Sequence, residues 1–105
     1  MATIELKEHE WQSFKEAEYA VIDCYGQNCT ACVILEPVFD ALADELPALA
    51  FGRIDTSFYP EIAETFGITA IPTLLYFRNG TLVDQTIGSL DRDALLEHIS
   101  ALLYQ

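Results

Sequence analysis

The sequence predicts an α/β domain in which a central mixed β-sheet is flanked by helices. Three observations lead there. The chain has 105 residues and is 51% hydrophobic, the size of one domain with one core spanning 1–105. Its first half alternates apolar β-type runs with an amphipathic stripe, which implies a strand–helix–strand unit and parallel pairing. Its second half carries Asn79-Gly80 between two β-type runs, the strongest short hairpin signal.

The elements follow in order. Thr3 to Leu6 is a candidate short strand. His9 to Ala17 reads as a helix, with Trp11 and Phe14 on one face. Ala20 to Tyr25 (AVIDCY) reads as a strand buried on both faces. Gly26, Gln27 and Asn28 make the turn after it. A helix then runs from Cys29 to about Leu46, with Cys32, Leu35, Phe39, Leu42 and Leu46 along one stripe and a kink expected at Pro37. Leu49 to Asp55 is the next strand. Pro60 to Phe66 is a short helix stopped by Gly67. Thr73 to Arg78 and Thr81 to Ile87 form the hairpin. Gly88 ends it, and Asp91 caps a last helix with Leu95, Ile99 and Leu102 on one face.

Charge and hydropathy exclude several functions. Seventeen acids face five bases, a net charge of −12. Nucleic acids and anionic membrane surfaces need cationic patches, so neither is an expected partner. Such charge favours solubility and a monomer, and it can steer a basic partner. The longest apolar runs, Ala31 to Leu35 and Leu74 to Phe77, fall far short of the about 18 residues of a membrane span. The first residues, MATIELKEHEW, are acidic and polar where a signal peptide is basic and then apolar, so a cytoplasmic location is expected.

The chemistry centres on cysteine. There are three: Cys24, Cys29 and Cys32. An odd number in a chain with this core is not a disulfide framework. Cys29-Thr30-Ala31-Cys32 follows a buried strand and opens a long helix. The unpaired N–H groups and positive dipole of a helix N-terminus favour a thiolate at Cys29, the species that attacks disulfides. Cys32, within bonding reach and facing inward, is the expected resolving thiol. A zinc half-site is the competing reading, but zinc needs four ligands and the sequence offers no second pair. Inert core thiols are the other. No metal or cofactor is expected. No base lies from Glu16 to Gly52, while Glu36 and Asp40 share the helix of Cys29. Those acids oppose the thiolate, but screening weakens them, and the contact-range N–H donors are expected to prevail.

Asp23 interrupts an apolar strand. Burial raises a carboxyl's pKa, and such a group beneath a dithiol can exchange a proton with Cys32. An edge-strand Asp facing water is the plainer alternative. Cys24 alternates to the opposite sheet face and reads as a small core residue. His9 and His98 are expected on solvated helix faces. Phe58, Tyr59 and Pro60 are expected to form an apolar corner, with a partner contact as a secondary reading.

IDCYGQNCTAC, then Pro37, then Ala70-Ile71-Pro72-Thr73, then Gly88 resembles the thioredoxin family in order and spacing over nearly the whole chain. The resemblance implies the thioredoxin fold, and a cis bond at Ile71–Pro72; the residues alone leave an ordinary trans turn open. It implies a groove in which Ile71, Pro72, Ile87, Gly88 and Ser89, with Asn28, Thr30 and Ala31 of the active-site segment, receive an extended substrate by β-strand addition. It implies a thiol–disulfide oxidoreductase that reduces protein disulfides through Cys29 and Cys32 with help from Asp23, fed by a reductase partner of the thioredoxin-reductase type or by a small thiol. An oxidase or isomerase with the same residues, and a binding module with a vestigial dithiol, are the alternatives. There are departures. The family's usual Trp-Cys-Gly-Pro-Cys-Lys is here Asn28-Cys29-Thr30-Ala31-Cys32-Val33, so a less reducing potential is expected, between roughly −270 and −180 mV. Phe51 stands where the family places a Lys near the buried Asp, so Asp23 is expected to lack a cation.

Overall fold

The computed structural model describes residues 2–104. Five strands form one sheet: β1 (Thr3–Leu6), β2 (Tyr19–Tyr25), β3 (Ala50–Asp55), β4 (Thr73–Arg78) and β5 (Thr81–Ile87). Their order is β1-β3-β2-β4-β5. β1 and β2 run parallel to β3, whereas β4 is antiparallel to both β2 and β5. The sheet is thus mixed, as the strand–helix–strand start and the hairpin end require.

Four helices cover it: α1 (Glu10–Phe14), α2 (Thr30–Glu45), α3 (Glu61–Phe66) and α4 (Arg92–Tyr104). Alternation along the strands divides the core between two faces. Val21, Phe51, Leu74 and Tyr76 pack with Leu35 and Phe39 of α2 and with Leu95 and Ile99 of α4. Ile22, Cys24, Ile54, Leu75 and Phe77 pack on the other face with Trp11 and Ile62. Cys24 therefore does lie on the face away from α2. The faces meet their helices through edge-to-face aromatic pairs, Phe39 with Phe51 and Phe66 with Trp11 and Phe77.

The ends of the elements have local causes. Gly67 closes α3 in the left-handed conformation, φ 65°. The Asp91 carboxylate caps α4 by accepting from the Ala94 N–H at 2.9 Å. α2 continues across Pro37. α1 is shorter than the expected His9 to Ala17: Lys15 to Ala17 leave the helix through turn bonds to Trp11, Ser13 and Phe14. His9 precedes the helix body, exposed and 2.8 Å from Glu61. His98 departs from the expected solvated face: it is half-buried, 2.7 Å from Asp84 and stacked on Tyr76. Phe58 is exposed at the corner before α3, while Tyr59 packs against the core. Among the described residues no helix is long and apolar enough to cross a membrane.

Candidate functional site

The site forms at one end of the sheet, where β2 runs into α2. Asp23 sits in mid-sheet, between Arg53 of β3 and Leu74 of β4 in register, and is fully buried. The edge-strand alternative therefore does not hold. The segment after β2 is shaped by close approach. A Cβ on Gly26 would lie 2.8 Å from Ile71 Cδ1 and 3.0 Å from Ser57 Oγ, so a larger residue here would have to push those two side chains aside. Gln27 ties this segment to the end of β3. Its N–H donates to Ser57 Oγ at 3.1 Å and its side-chain amide to Asp55 at 2.6 Å. Asn28 then takes φ 54°, a turn conformation that Asn tolerates.

Cys29 is the N-cap of α2, with extended backbone angles. The Cys32 N–H donates to Cys29 Sγ at 3.1 Å. One of the helix's orphan donors thus points at the sulfur that must carry negative charge when reduced. Cys29 and Cys32 are joined as a disulfide, with Cα atoms 5.3 Å apart. Cys29 is half-exposed and Cys32 is buried. That asymmetry leaves the first sulfur open to a partner and shields the second. Cys24 is a free, buried thiol. Burial pushes its pKa up, and the charge of Asp23 adds to the effect, so it stays an inert thiol.

The second loop meets the dithiol from β4. The Ile71–Pro72 bond is cis. Cys29 Sγ lies 3.8 Å from the Ile71 carbonyl oxygen. The Pro72 carbonyl accepts from the Gly88 N–H at 2.7 Å, and Gly88 has φ 93°. The Ile71 carbonyl thus meets Cys29, and Gly88 is tied to the next residue, Pro72. Ile87 and Ser89 flank Gly88, and both are exposed. A cavity of about 480 Å³ opens on the other side of the disulfide, lined in part by Asn28, Thr30, Cys32, Glu36 and Arg53. Ala31 is half-buried and is not part of that lining.

One expectation is corrected. Asp23 does not lack a cation. Phe51, at the family's Lys position, is a core residue packed on Phe39. Two residues on, and on the same sheet face, Arg53 brings Nε to 3.4 Å from Asp23 Oδ2. Burial nevertheless dominates: it pushes the Asp23 pKa from 3.8 up to about 7, against the pull of Arg53. The carboxyl is thus poised to hold or release a proton at neutral pH.

Arg53 and Tyr25 escaped the sequence reading, which took Glu36 only as an acid opposing the Cys29 thiolate. Alternation on β3 could have placed Arg53 on the face of Phe51. The pairing register that sets it opposite Asp23 has no local sequence signal.

Comparisons with known proteins agree with this geometry. The Thioredoxin family profile matches residues 2–101. The chain is 39% identical over 80 residues to a thioredoxin of Chlamydia muridarum, covering 76% of this chain and 78% of that one. It is 37% identical over 99 residues to a putative thioredoxin 2 of Streptomyces coelicolor, covering 93% of this chain and 74% of that one. Among solved structures it resembles a point-mutant thioredoxin from Halobacterium salinarum, with a TM-score of 0.89, 27% identity, and 98% and 92% of the two chains covered. The chain belongs to the thioredoxin family and is a thiol–disulfide oxidoreductase, its Cys29–Cys32 pair forming the redox disulfide.

Proposed function

We propose that the chain works as a single unit, as a monomer in the cytoplasm, and reduces disulfides of protein substrates. The observation that carries this reading is the asymmetric dithiol: an accessible Cys29 Sγ held at a helix N-terminus and bonded to a buried Cys32.

In the reduced protein, Cys29 thiolate attacks one sulfur of the substrate disulfide. A Cys29–substrate disulfide forms and one substrate thiolate leaves. Cys32 then loses its proton to the ionised Asp23 carboxylate, and its thiolate attacks Cys29 Sγ. The mixed disulfide breaks, the second substrate thiolate leaves, and Cys29–Cys32 closes. Two electrons have passed to the substrate, and the two thiolates take up protons. A reductase of the thioredoxin-reductase type, or a small thiol, returns two electrons.

The cis Ile71–Pro72 segment offers backbone beside Cys29 for an extended substrate segment. Ile87, Gly88 and Ser89 would line one side of that groove, and Asn28, Thr30 and Ala31 the other. Exposed Val33, Ile34 and Ile87 supply apolar contact area around it.

The test is reduction of insulin disulfides with dithiothreitol as electron source. Cys29→Ser is expected to abolish turnover. Cys32→Ser is expected to accumulate a mixed disulfide with the substrate. Turnover that survives Cys29→Ser would overturn the mechanism.

A further inference from the structure

Arg53 carries one positive charge and meets three carboxylates. Its Nε lies 3.4 Å from Asp23 Oδ2, and its Nη1 lies 3.3 Å from Glu36 Oε2 and 3.6 Å from Glu5 Oε1. The guanidinium sits 3.9 Å over the Tyr25 ring, and the Tyr25 hydroxyl donates to Glu5 at 2.6 Å. The carboxylates differ in surroundings. Asp23 is fully buried, whereas the Glu36 and Glu5 side chains are about half exposed.

Arg favours bidentate pairing with a carboxylate. Here no bidentate pair forms with Asp23: Oδ1 is buried without a partner, and Oδ2 has one long contact. The fork is divided between the interior and the rim instead. Glu36 stands one turn after Cys32 on α2, and Cys32, Glu36 and Arg53 all line the cavity beside the disulfide.

We propose that Glu36 and Glu5 are positioning residues that compete with Asp23 for the Arg53 guanidinium, and so set how readily Asp23 exchanges a proton with Cys32. This rests on the reading of Asp23 as the proton acceptor for Cys32. The charged groups that act on Asp23 are Arg53 on β3, Glu36 on α2 and Glu5 on β1; α2 also carries Asp40, which lines a hollow with Glu5, Glu36 and Arg53, and β2 carries Tyr25 and the opposite-facing Cys24. β4 places apolar Leu74 against it. The electrostatics point the same way. After burial, the Arg53 charge and hydrogen bond favour the ionised carboxyl, while Glu36 and Glu5 disfavour it.

The competition has a signature in signs. Removing the cation and removing a competitor must move Asp23 in opposite directions. The experiment is a ¹³C-carboxyl NMR titration of Asp23 in the oxidised full chain. The pH profile of insulin-disulfide turnover is measured beside it. Glu36→Gln is expected to shift the protonated-to-ionised ratio at neutral pH toward the ionised form by about threefold or more, and Glu5→Gln in the same direction. Arg53→Gln is expected to shift it toward the protonated form, and Arg53→Lys to recover part of the difference. The acidic-side limb of the turnover profile is expected to follow each shift.

If Glu36→Gln leaves the titration unmoved, or moves it as Arg53→Gln does, the sharing is refuted. That holds even if Arg53→Gln fails to fold, because Glu36 is on an accessible helix face. If the carboxyl moves and the turnover limb does not, the link to Cys32 is refuted. Absence of turnover in the unmodified protein would instead count against the proposed reductase function, and the carboxyl titration would still decide the sharing.

Discussion

Asp23→Asn is expected to stabilise the protein, by an amount that depends on pH. Folding moves the Asp23 pKa from 3.8 to about 7, chiefly by burial. Between those values the folded chain binds more protons at this site than the unfolded chain, so stability falls as pH rises. Below pH 4 the carboxyl is protonated in both states and costs little. Above pH 7 the full cost is present. At about 1.4 kcal/mol per pH unit, it comes to about 4 kcal/mol. The group is fully buried, so solvent screening does not reduce it. Asparagine keeps the shape and removes the charge. Its melting temperature at pH 8 is therefore expected to exceed the parent's by more than about 10 °C, given about 4–8 °C per kcal/mol for a domain of this size. Urea unfolding of both oxidised proteins from pH 4 to 8.5 reads the difference directly. The difference should be near zero at pH 4, grow through pH 5 and 6, and level off above pH 7. A difference that is flat across this range, or an Asn variant less stable at pH 8, would refute the placement of an ionisable, poorly compensated carboxyl at this point.

Other outcomes follow from packing and geometry. Gly52→Ala would bring a Cβ to 2.8 Å from Phe14 Cε2 and 2.9 Å from Leu6 Cδ1; a loss of about 1–3 kcal/mol is expected in chemical denaturation. Phe39→Ala removes a fully buried ring packed edge-on against Phe51 and is expected to cost about 3–5 kcal/mol. Breaking the bidentate Arg92–Glu45 pair with Arg92→Gln is expected to change stability by less than about 1 kcal/mol, since both side chains are half exposed. In the Cys29→Ser and Cys32→Ser variants, a mixed disulfide trapped on gels is expected only for the second.

The strands and long helices were legible because their signals are local. The AVIDCY run, the Asn79-Gly80 turn, the stripe from Cys32 to Leu42 and the caps at Asp91 and Gly67 each depend on a few neighbouring residues. The dithiol was legible for the same reason: strand, turn and helix N-terminus adjoin in sequence. α1 was overestimated because Lys15 to Ala17 extend an apolar spacing that the chain leaves by turns. The surroundings of Asp23 were not legible. Which β3 residue stands opposite it depends on register between strands about 30 residues apart, and the family pattern pointed to Phe51. The structure instead puts Arg53 there. The half-burial of His98 likewise comes from Tyr76 and Asp84 on the hairpin, far from α4 in sequence.

The reduction potential of the Cys29–Cys32 pair tests the central claim most directly, by equilibration of the full chain against dithiothreitol or glutathione buffers. The account predicts a value below about −200 mV, somewhat less negative than or near the −270 mV of thioredoxin, so that the dithiol passes electrons to protein disulfides in a reducing compartment. A value well above about −200 mV would contradict it and assign the same residues to disulfide formation or isomerisation.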